Sequence, residues 1–422
     1  MAVWEKTLNS LEKKKVVITK LKKALFFDGK SETEDEFMVI LVYENEKLMD
    51  INCYSTQETS LLGNIYIGRV QNIVKNLNAA FIRFSEEEQG YYSLENFKTP
   101  IFTKKIGKKP ICIGDELVVQ VEREAIKTKD PYLTTNINLS GEYLVLTGED
   151  TKVGVSAKLD KETRKRLKEL LELHKQDEYG VIVRTNAKNA SDSAILQELK
   201  TLEKDFLQIK EKAIHKTCYS LLYQPPKGVW KFLQDINQND LHEIVTDDAA
   251  LYEEISLRYK DDVNFKGNIR YYEDALLPLH KLYNVESELK NALKKKVWLK
   301  SGAYLIIEPT EALTVIDVNS GKNVTKKKSE ESFLKINIEA AKEIARQLRL
   351  RNISGICIVD FISMETKEAN DILMHEFRME LKKDPVSVQL VDITKLGLVE
   401  LTRKKVKKSL KEQFSSIKSI DE

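Results

Sequence analysis

Two aspartates and an asparagine each follow an apolar run of the sequence. Asp317 comes directly after the run 312–316, and Asn319 lies two residues further on. Asp360 comes directly after the run 355–359. Carboxylate and amide oxygens are hard ligands, and Mg²⁺ is usually bound by one or two carboxylates while it keeps several waters. The three side chains therefore form a candidate magnesium site if the fold brings them together. The alternative is that each acid merely caps the end of its strand.

The elements around these side chains predict that they meet. Each apolar run is rich in β-branched residues, as in a strand buried on both faces of a parallel sheet. Residues 330–351 carry apolar side chains at helical spacing, namely Phe333, Ile336, Ala340, Ala341, Ile344 and Leu348. A strand–helix–strand crossover makes the two strands parallel, and ligands bind at the carboxyl ends of such strands. We therefore expect Asp317 and Asp360 to converge, with Asn319 beside them.

This region resembles the catalytic signature of the ribonuclease E/G family. Three segments carry the resemblance in order, EALTVIDVNSG at 311–321, IARQLRLR at 344–351 and IVDFI at 358–362. In that family two aspartates hold a catalytic magnesium ion and an asparagine supports the site. The resemblance therefore implies catalytic roles for Asp317, Asn319 and Asp360, with Mg²⁺ on the two aspartates and Mn²⁺ as an alternative ion.

The same resemblance implies a multidomain fold of the α+β and α/β classes. We expect N-terminal strands at 1–58, an S1-type OB-fold RNA-binding domain at 59–140 and a 5′-sensor region at 141–228. A ribonuclease-H-like subdomain, to which the N-terminal strands contribute, should occupy 229–292. A DNase-I-like catalytic subdomain should occupy 293–422.

Length and composition constrain the number of domains and the kind of partner only weakly. A chain of 422 residues can bury several cores, which favours several domains. The 68 basic residues nearly balance the 66 acidic ones, for a net charge of +2. Overall charge therefore does not argue for a polyanionic partner, and any nucleic-acid surface must come from local clustering.

The cysteines predict a protein without structural zinc. Cys53, Cys112, Cys218 and Cys357 are scattered, with no CxxC pair, which fits reduced thiols in a cytosolic protein. No apolar stretch reaches transmembrane length and the start of the chain lacks a signal-peptide core, so we expect a cytoplasmic location. Long family members continue with a cysteine pair that links protomers through zinc. No cysteine follows Cys357, so no zinc-linked tetramer is expected, whereas a homodimer stays open.

Short strands at 64–70, 79–84, 90–93 and 116–121 predict a small barrel. The residues 68–70, 79–82 and 90–91 resemble the S1-type OB fold. The resemblance implies that Phe81 and Tyr91 stack on RNA bases and that Lys129 makes a basic contact. The alternative is that Phe81 is a core residue and Tyr91 an ordinary strand tyrosine. The family usually has glycine after this lysine, whereas this chain has Asp130.

Arg184 and Thr185 follow the apolar strand 180–183. A guanidinium fork and a hydroxyl donor can together hold a phosphate, although an arginine and a threonine at a strand end are also ordinary surface residues. The resemblance implies that this pair binds the 5′-monophosphate of RNA, supported by backbone groups of Gly141 and Val145. Lys395 stands where the family has a further arginine, and lysine keeps the charge but loses bidentate geometry.

Other basic residues leave two interpretations open. Lys322 and Arg346 could stabilise developing phosphate charge or be solvated side chains. The basic run 403–411 could track phosphates or form a solvated helix face.

The combined expectation is a metal-dependent endoribonuclease that cleaves single-stranded RNA in RNA processing and decay and favours 5′-monophosphorylated substrates. Two alternatives remain. One is a non-catalytic RNA-binding or scaffold protein of the same fold, against which the intact Asp317, Asn319 and Asp360 argue. The other is a metal-dependent nuclease that acts on DNA, against which the S1-type barrel argues.

Overall fold

The computed structural model describes residues 14–23, 36–56, 60–95, 100–124, 130–148, 150–236, 241–260, 265–321 and 330–418. The chain divides into two compact units. The described parts of 1–56, 240–262 and 266–422 form one, called the terminal unit here because it includes both ends of the described chain. The described parts of 57–239 belong to the other, called the central unit.

The strands of the described residues are, in chain order, β1 (Lys14–Lys22), β2 (Glu36–Glu44), β3 (Lys47–Ser55), β4 (Ile65–Val74), β5 (Ala79–Arg83), β6 (Gln89–Ser93), β7 (Phe102–Lys104), β8 (Glu116–Arg123), β9 (Tyr132–Thr134), β10 (Asn138–Ser140), β11 (Leu144–Thr147), β12 (Val153–Val155), β13 (Gly180–Val183), β14 (Leu221–Tyr223), β15 (Leu241–Thr246), β16 (Asn268–Tyr271), β17 (Lys296–Trp298), β18 (Tyr304–Pro309), β19 (Leu313–Asn319), β20 (Gly355–Asp360), β21 (Val388–Ile393) and β22 (Val399–Arg403). The α-helices are α1 (Lys161–His174), α2 (Asp192–His215), α3 (Gly228–Asp235), α4 (Ala249–Tyr259), α5 (Leu279–Leu282), α6 (Val285–Leu293), α7 (Glu330–Leu350), α8 (Lys367–Leu381) and α9 (Leu410–Lys418). Short 3₁₀ helices lie at Lys75–Leu77 and Thr185–Asn189. Within these described ranges, no helix is long and apolar enough to cross a membrane.

The first part of the central unit is a closed five-stranded β-barrel, consistent with an OB fold. β4 pairs antiparallel with both β5 and β8, and β6 and β9 complete the ring. The interior is filled by buried side chains that include Ile82, Val119 and Leu133. The barrel predicted from the short strands is therefore confirmed.

The second part of the central unit packs α1 and α2 against a four-stranded sheet in the order β10-β11-β13-β12. Ser191 caps α2, because its side chain accepts a hydrogen bond from the backbone of Ala194. Buried side chains recur along one face of this helix, for example Ile195, Leu199 and Leu202. This packing fixes β13 and so positions the residues that follow it.

A five-stranded sheet of the terminal unit joins distant parts of the chain, in the order β16-β15-β1-β2-β3. β1 pairs antiparallel with β2 and parallel with β15. Asn45 and Glu46 form a two-residue turn between β2 and β3, both with positive φ, as a type I′ hairpin requires. The names of the subdomains implied by the resemblance stay predictions.

The second sheet of the terminal unit is mixed and six-stranded, in the order β17-β18-β19-β20-β22-β21. β19 and β20 are parallel and joined through α7, as the strand–helix–strand pattern predicted. The other pairs in this sheet are antiparallel. Buried side chains of α7 and α8, such as Ile344, Leu348 and Phe377, form one core with the sheet.

The prediction that β19 and β20 are buried on both faces is wrong. Ile316 and Cys357 are fully buried, but Val315 is 37% and Ile356 is 53% exposed. Alternate side chains of a strand point to opposite faces, and the core that includes α7 and α8 covers one of them. The other, called the open face here, carries side chains that solvent or a ligand can reach.

The basic run 403–411 is not a solvated helix face. Arg403 is the last residue of β22, and its guanidinium is 2% exposed and binds the Asp384 carboxylate at 2.8 Å. Residues 404–409 are not helical, and α9 begins at Leu410. The first basic residue of the run therefore belongs to a buried ion pair, and contact of the following lysines with phosphates stays a prediction.

Candidate active site

The sheet register brings the two predicted catalytic aspartates together. Asp317 and Asp360 lie directly opposite each other on the parallel strands β19 and β20. Their neighbours Ile316 and Val359 point into the core, so both carboxylates belong to the open face. Asn319 lies two residues beyond Asp317 on the same face, and its Nδ2 donates a hydrogen bond to Asp317 Oδ2 at 2.5 Å. The structure thus gathers all three residues.

A close backbone approach ends β19 immediately after this cluster. Gly321 has a φ of +67°, and a Cβ added there would lie 2.3 Å from the carbonyl oxygen of Gly302. Glycine is therefore required, because another residue would meet both backbone strain and a steric clash. The turn fixes the end of the strand that carries Asp317 and Asn319.

The ligand set of this cluster fits magnesium. Among the described residues, no group of three or more histidine, cysteine, aspartate or glutamate side chains could hold a metal ion. Two carboxylates with a neighbouring amide are instead what Mg²⁺ uses when it keeps most of its waters. Asp360 is exposed, which leaves room for such waters and for a substrate. The absence of zinc from the protein stays a prediction.

Of the two basic residues considered as stabilisers of phosphate charge, only Arg346 lies among the described residues. Lys322 lies outside the described residues. Arg346 donates to Glu343 at 2.5 Å and to the carbonyl oxygen of Leu48 at 2.8 Å. Its guanidinium therefore joins α7 to β3, a structural contact that neither sequence-based interpretation included.

One row of the barrel surface is aromatic. Phe81 pairs with Tyr91, and Tyr91 pairs with Tyr132, across the strands β5, β6 and β9. The ring centroids are 6.0 Å apart in the first pair and 5.4 Å in the second. Arg123, paired with Tyr132, places its guanidinium 5.1 Å from that ring. All three rings are partly exposed, so Phe81 is not a core residue.

Sequence reasoning did not identify Tyr132 as part of the aromatic row or Arg123 as the cation beside it. Lys129, the basic contact that it did predict, lies outside the described residues. Tyr132 and Arg123 are far from Tyr91 in sequence, and they become neighbours only through the pairing of β9 with β6 and β8. The signal present was a tyrosine at the start of a short strand, which says nothing about register.

The predicted phosphate-binding residues lie at the end of β13. Arg184 donates to the carbonyl oxygen of Gly141 at 2.6 Å and to Asp235 Oδ1 at 2.7 Å. Thr185 follows and begins a 3₁₀ helix. Asp235 also accepts from Lys231 at 3.1 Å. The guanidinium is therefore held in place by an acceptor on each side, and Asp235 occupies a position that a phosphate would compete for.

A carboxylate that the sequence did not single out lies beside Gly141. Glu198 accepts hydrogen bonds from the backbone nitrogens of residues 142, 143 and 144, each at 2.8 Å. A Cβ on Gly141 would lie 2.3 Å from Glu198 Oε1, so a larger residue there would displace the end of this side chain from its hydrogen bonds. Burial raises the pKa of Glu198, and the three N–H groups offset part of that rise. The same loop thus already binds one anionic group.

The remaining predicted members of the phosphate pocket are in different places. Val145 lies in β11, where it pairs with Ser140 on one side and Ile182 on the other. Lys395 belongs to the terminal unit, in an exposed turn closed by a hydrogen bond from the Gly397 nitrogen to the Thr394 carbonyl oxygen. Its contribution to a pocket with Arg184 stays a prediction.

The chain matches known proteins along most of its length. The model of the ribonuclease E/G family matches residues 138–406. A ribonuclease E of Synechocystis is 35% identical over 364 residues, which cover 84% of this chain and 53% of the relative. A ribonuclease G of Haemophilus influenzae is 33% identical over 399 residues, covering 90% of this chain and 79% of the relative. A ribonuclease G of Escherichia coli is 31% identical over 377 residues, covering 86% and 76%. The chain spans about half the length of the ribonuclease E relatives from Synechocystis and Nostoc.

Proposed function

The chain belongs to the ribonuclease E/G family, and from that premise we propose that it is a metal-dependent endoribonuclease acting on single-stranded RNA in RNA processing and decay. The observation that carries the proposal is the direct pairing of Asp317 with Asp360 on an open sheet face, with Asn319 bonded to Asp317. A protein that only bound RNA would have no need of two aligned acids there. The cytoplasmic location and the capacity to form a homodimer without a zinc link are part of the same proposal.

Asp317 and Asp360 would hold the metal ion. When bound there, Mg²⁺ would polarise the scissile phosphate and lower the pKa of an attacking water. The hydrogen bond from Asn319 restrains the Asp317 carboxylate, so one of its oxygens is fixed before substrate arrives. The expected products carry 5′-phosphate and 3′-hydroxyl ends.

The aromatic row on the barrel supports a proposal of RNA binding. Phe81, Tyr91 and Tyr132 are partly exposed neighbours, and every base has a face that can stack on such rings. Arg123 adds a positive charge next to the last ring, where a phosphate can be attracted. Lys129, which lies between β8 and β9 in the sequence, would add another.

The substrate class can be tested with two polymers of one sequence. A short single-stranded RNA and the matching DNA would be incubated with the full chain and Mg²⁺, and the products would be separated by length. Internal cuts in RNA alone support the proposal. Cuts in DNA at a comparable rate favour the general nuclease. Binding of RNA without cleavage, at any magnesium concentration, favours the scaffold protein.

We predict that truncation of the aromatic row weakens RNA binding. Tyr91→Ala or Tyr132→Ala should each raise the Kd for a single-stranded RNA by about 5- to 100-fold, since stacking contributes roughly 1–3 kcal/mol per base. Tyr132→Phe keeps the ring and should bind like the wild type. Fluorescence anisotropy of a labelled RNA gives both constants, with Tyr271→Ala, an exposed tyrosine of the terminal unit, as the control. An unchanged Kd in Tyr132→Ala would remove that residue from the interface.

We propose further that Arg184, Thr185 and Lys395 favour substrates with a 5′-monophosphate. Arg184 is already oriented by Gly141 and Asp235, so little side-chain entropy is lost when it binds an anion. Backbone groups of Gly141 and Val145 would complete the pocket. Asp235 lowers the net charge of the site, so it should make the preference weaker than an unpaired arginine would give.

We predict that Arg184→Gln reduces the ratio of cleavage rates on 5′-monophosphate and 5′-hydroxyl RNA to nearly one. A hydrogen bond to a charged group contributes roughly 1.5–3 kcal/mol, so the wild-type ratio should be about 10–100. Asp235→Asn should raise the ratio, because it removes the competing carboxylate. Arg166→Gln, which breaks an exposed pair with Asp192, is the matched control. Equal wild-type rates on the two RNAs would discard this pocket and leave the nuclease proposal intact.

A further inference from the structure

We propose that Trp298, Tyr304 and Lys296 form a nucleotide-binding subsite beside the paired aspartates, in which the rings take a base of the RNA and the ammonium group takes an adjacent phosphate. This inference deepens the proposed ribonuclease function and rests on it for the identity of the ligand. None of the three residues has a role in the site described above.

The first observation is a row of paired residues that runs from an edge of the sheet to the active site. Trp298 of β17 pairs with Tyr304 of β18, and Tyr304 pairs with Asn319 of β19. Residues paired across neighbouring strands point to the same face, so both rings lie on the open face with Asn319. Strands are about 4.8 Å apart, which places β17 roughly 10 Å from β19.

A second row, parallel to the first, carries the charges. Lys296 pairs with Ile306, Ile306 pairs with Asp317, and Asp317 pairs with Asp360. The backbone positions of Lys296, Asp317 and Asp360 therefore lie on one line across four strands, with only Ile306 between Lys296 and the two acids. Lys296 lies two strand spacings from Asp317 and three from Asp360, so a phosphodiester drawn to a metal on the aspartates would have the Lys296 backbone about 10–14 Å away.

The three side chains of the subsite contact one another. The Trp298 and Tyr304 rings meet edge to face, with centroids 5.2 Å apart and planes at 63°. Lys296 Nζ lies 3.9 Å from the Trp298 centroid and 3.7 Å from the Tyr304 centroid. These contacts restrain three side chains that would otherwise be mobile, so they are pre-organised for a ligand.

The exposure and charge of this cluster identify the ligand. Trp298 is 64% exposed, and an exposed tryptophan ring on the same face as the paired aspartates offers a large flat surface on which a base can stack. No carboxylate of the described residues makes a salt bridge to Lys296, whereas the neighbouring Lys295 is paired with Glu308. A ring surface and a cation without a carboxylate partner complement a base and its phosphate, respectively.

The fluorescence of Trp298 tests the proposal without any cleavage. The chain has three tryptophans, so Trp4→Phe and Trp230→Phe leave Trp298 as the only one. Asp317→Asn in the same full-length chain prevents hydrolysis of the probe. A single-stranded oligoribonucleotide of about ten residues would be titrated while anisotropy of its label follows binding. The second probe is an abasic ribose-phosphate oligomer of the same length, which keeps the charge and lacks the bases.

We expect the RNA to quench Trp298 fluorescence in step with its binding, and the abasic oligomer to bind without comparable quenching. No change in fluorescence at saturating RNA would overturn the proposal, as would equal quenching by both oligomers. The quenching is measured on the variant and cleavage on the wild type, so the two proposals can fail separately. If the wild type did not cleave RNA but the variant showed base-dependent quenching, the nuclease proposal would fail and the subsite would stand. If the wild type cleaved RNA and the variant showed no quenching, the subsite would fail and the nuclease proposal would stand.

Substitutions in the otherwise unmodified chain give a second measurement. Trp298→Ala should lower kcat/KM for RNA by about tenfold or more, as loss of one stacked base predicts, while Trp298→Phe should retain most of it. Lys296→Gln should reduce the dependence of binding on salt concentration, because a phosphate contact is lost. Val391→Ala is the matched control, since it truncates an exposed side chain on β21, the opposite edge strand of the sheet. Equal effects of Trp298→Ala and Val391→Ala would also overturn the proposal.

Discussion

Replacement of Asp317 or Asp360 by asparagine should lower the rate of RNA cleavage by at least about 10³-fold. Metal ions contribute several kcal/mol to the stabilisation of transition-state charge, and each 1.4 kcal/mol is a factor of ten in rate. Asparagine keeps the size of the side chain but removes the negative charge on which the proposed Mg²⁺ site depends. RNA affinity measured by anisotropy without metal should change less than threefold, because neither acid attracts a phosphate. Cleavage rates on a labelled single-stranded RNA give the result.

The magnesium dependence of the same variants separates a metal site from a general loss of structure. Chelation should abolish cleavage by the wild type and Mg²⁺ should restore it, whereas neither treatment should affect Asp317→Asn. Asp371→Asn is the matched control, because Asp371 is an exposed acid on α8 within the same unit. Wild-type cleavage rates in Asp317→Asn and Asp360→Asn, with Mg²⁺ present, would contradict the proposed mechanism.

The centre of this site was predictable because two periodicities agree there. β-branched apolar runs predicted β19 and β20, and the helical spacing of apolar residues predicted α7. A crossover of that length makes the strands parallel, and direct opposition of Asp317 and Asp360 follows from the observed register. The sequence did not predict that one face of the sheet is open, because an apolar run has the same composition whether helices cover one face or both. Ile356, for example, lies in such a run and is exposed.

Rows of residues that run across several strands could not be predicted from the sequence either. Tyr132 joins Tyr91, and Trp298 joins Tyr304 and Asn319, only when the order and register of the strands are known. A one-residue change in register would move each ring to the opposite face. The spacing of residues along a chain carries no such information between strands that are distant in sequence.

The sequence also did not predict which charged residues of the signature are buried in ion pairs. Arg349 lies in IARQLRLR, where the pattern gives only a charged residue on a helix. Its guanidinium is 7% exposed and binds Glu44 through both oxygens, at 2.8 and 3.1 Å, and Asp50 at 3.2 Å. Burial raises the pKa of Glu44, but the hydrogen bonds and charge of Arg349 outweigh it, so the net pKa is lowered. This side chain therefore joins α7 to the hairpin formed by β2 and β3.

Arg349→Met should destabilise the terminal unit by up to about 3–5 kcal/mol at pH 7, because the partly buried carboxylates of Glu44 and Asp50 both lose this partner and Glu44 keeps, among the described residues, only Lys14, at 3.6 Å. A depressed folded-state pKa gives stability that is present above the ordinary value of 4.5 and lost as the pH falls through the lowered value. The difference between wild type and variant should therefore shrink as the pH falls below 4.5. Urea unfolding followed by Trp298 fluorescence, in the background with a single tryptophan, measures the terminal unit.

Two further variants decide whether the buried charge is the cause. Lys335→Met breaks an exposed pair with Glu331 on the same helix and should cost at most about 1 kcal/mol. Adding Glu44→Gln to Arg349→Met removes one of the two carboxylates that lost Arg349, so the double variant should be more stable than the sum of the two single effects predicts. A loss in Arg349→Met no larger than in Lys335→Met, or one independent of pH between 3 and 7, would show that this ion pair does not hold the hairpin against α7.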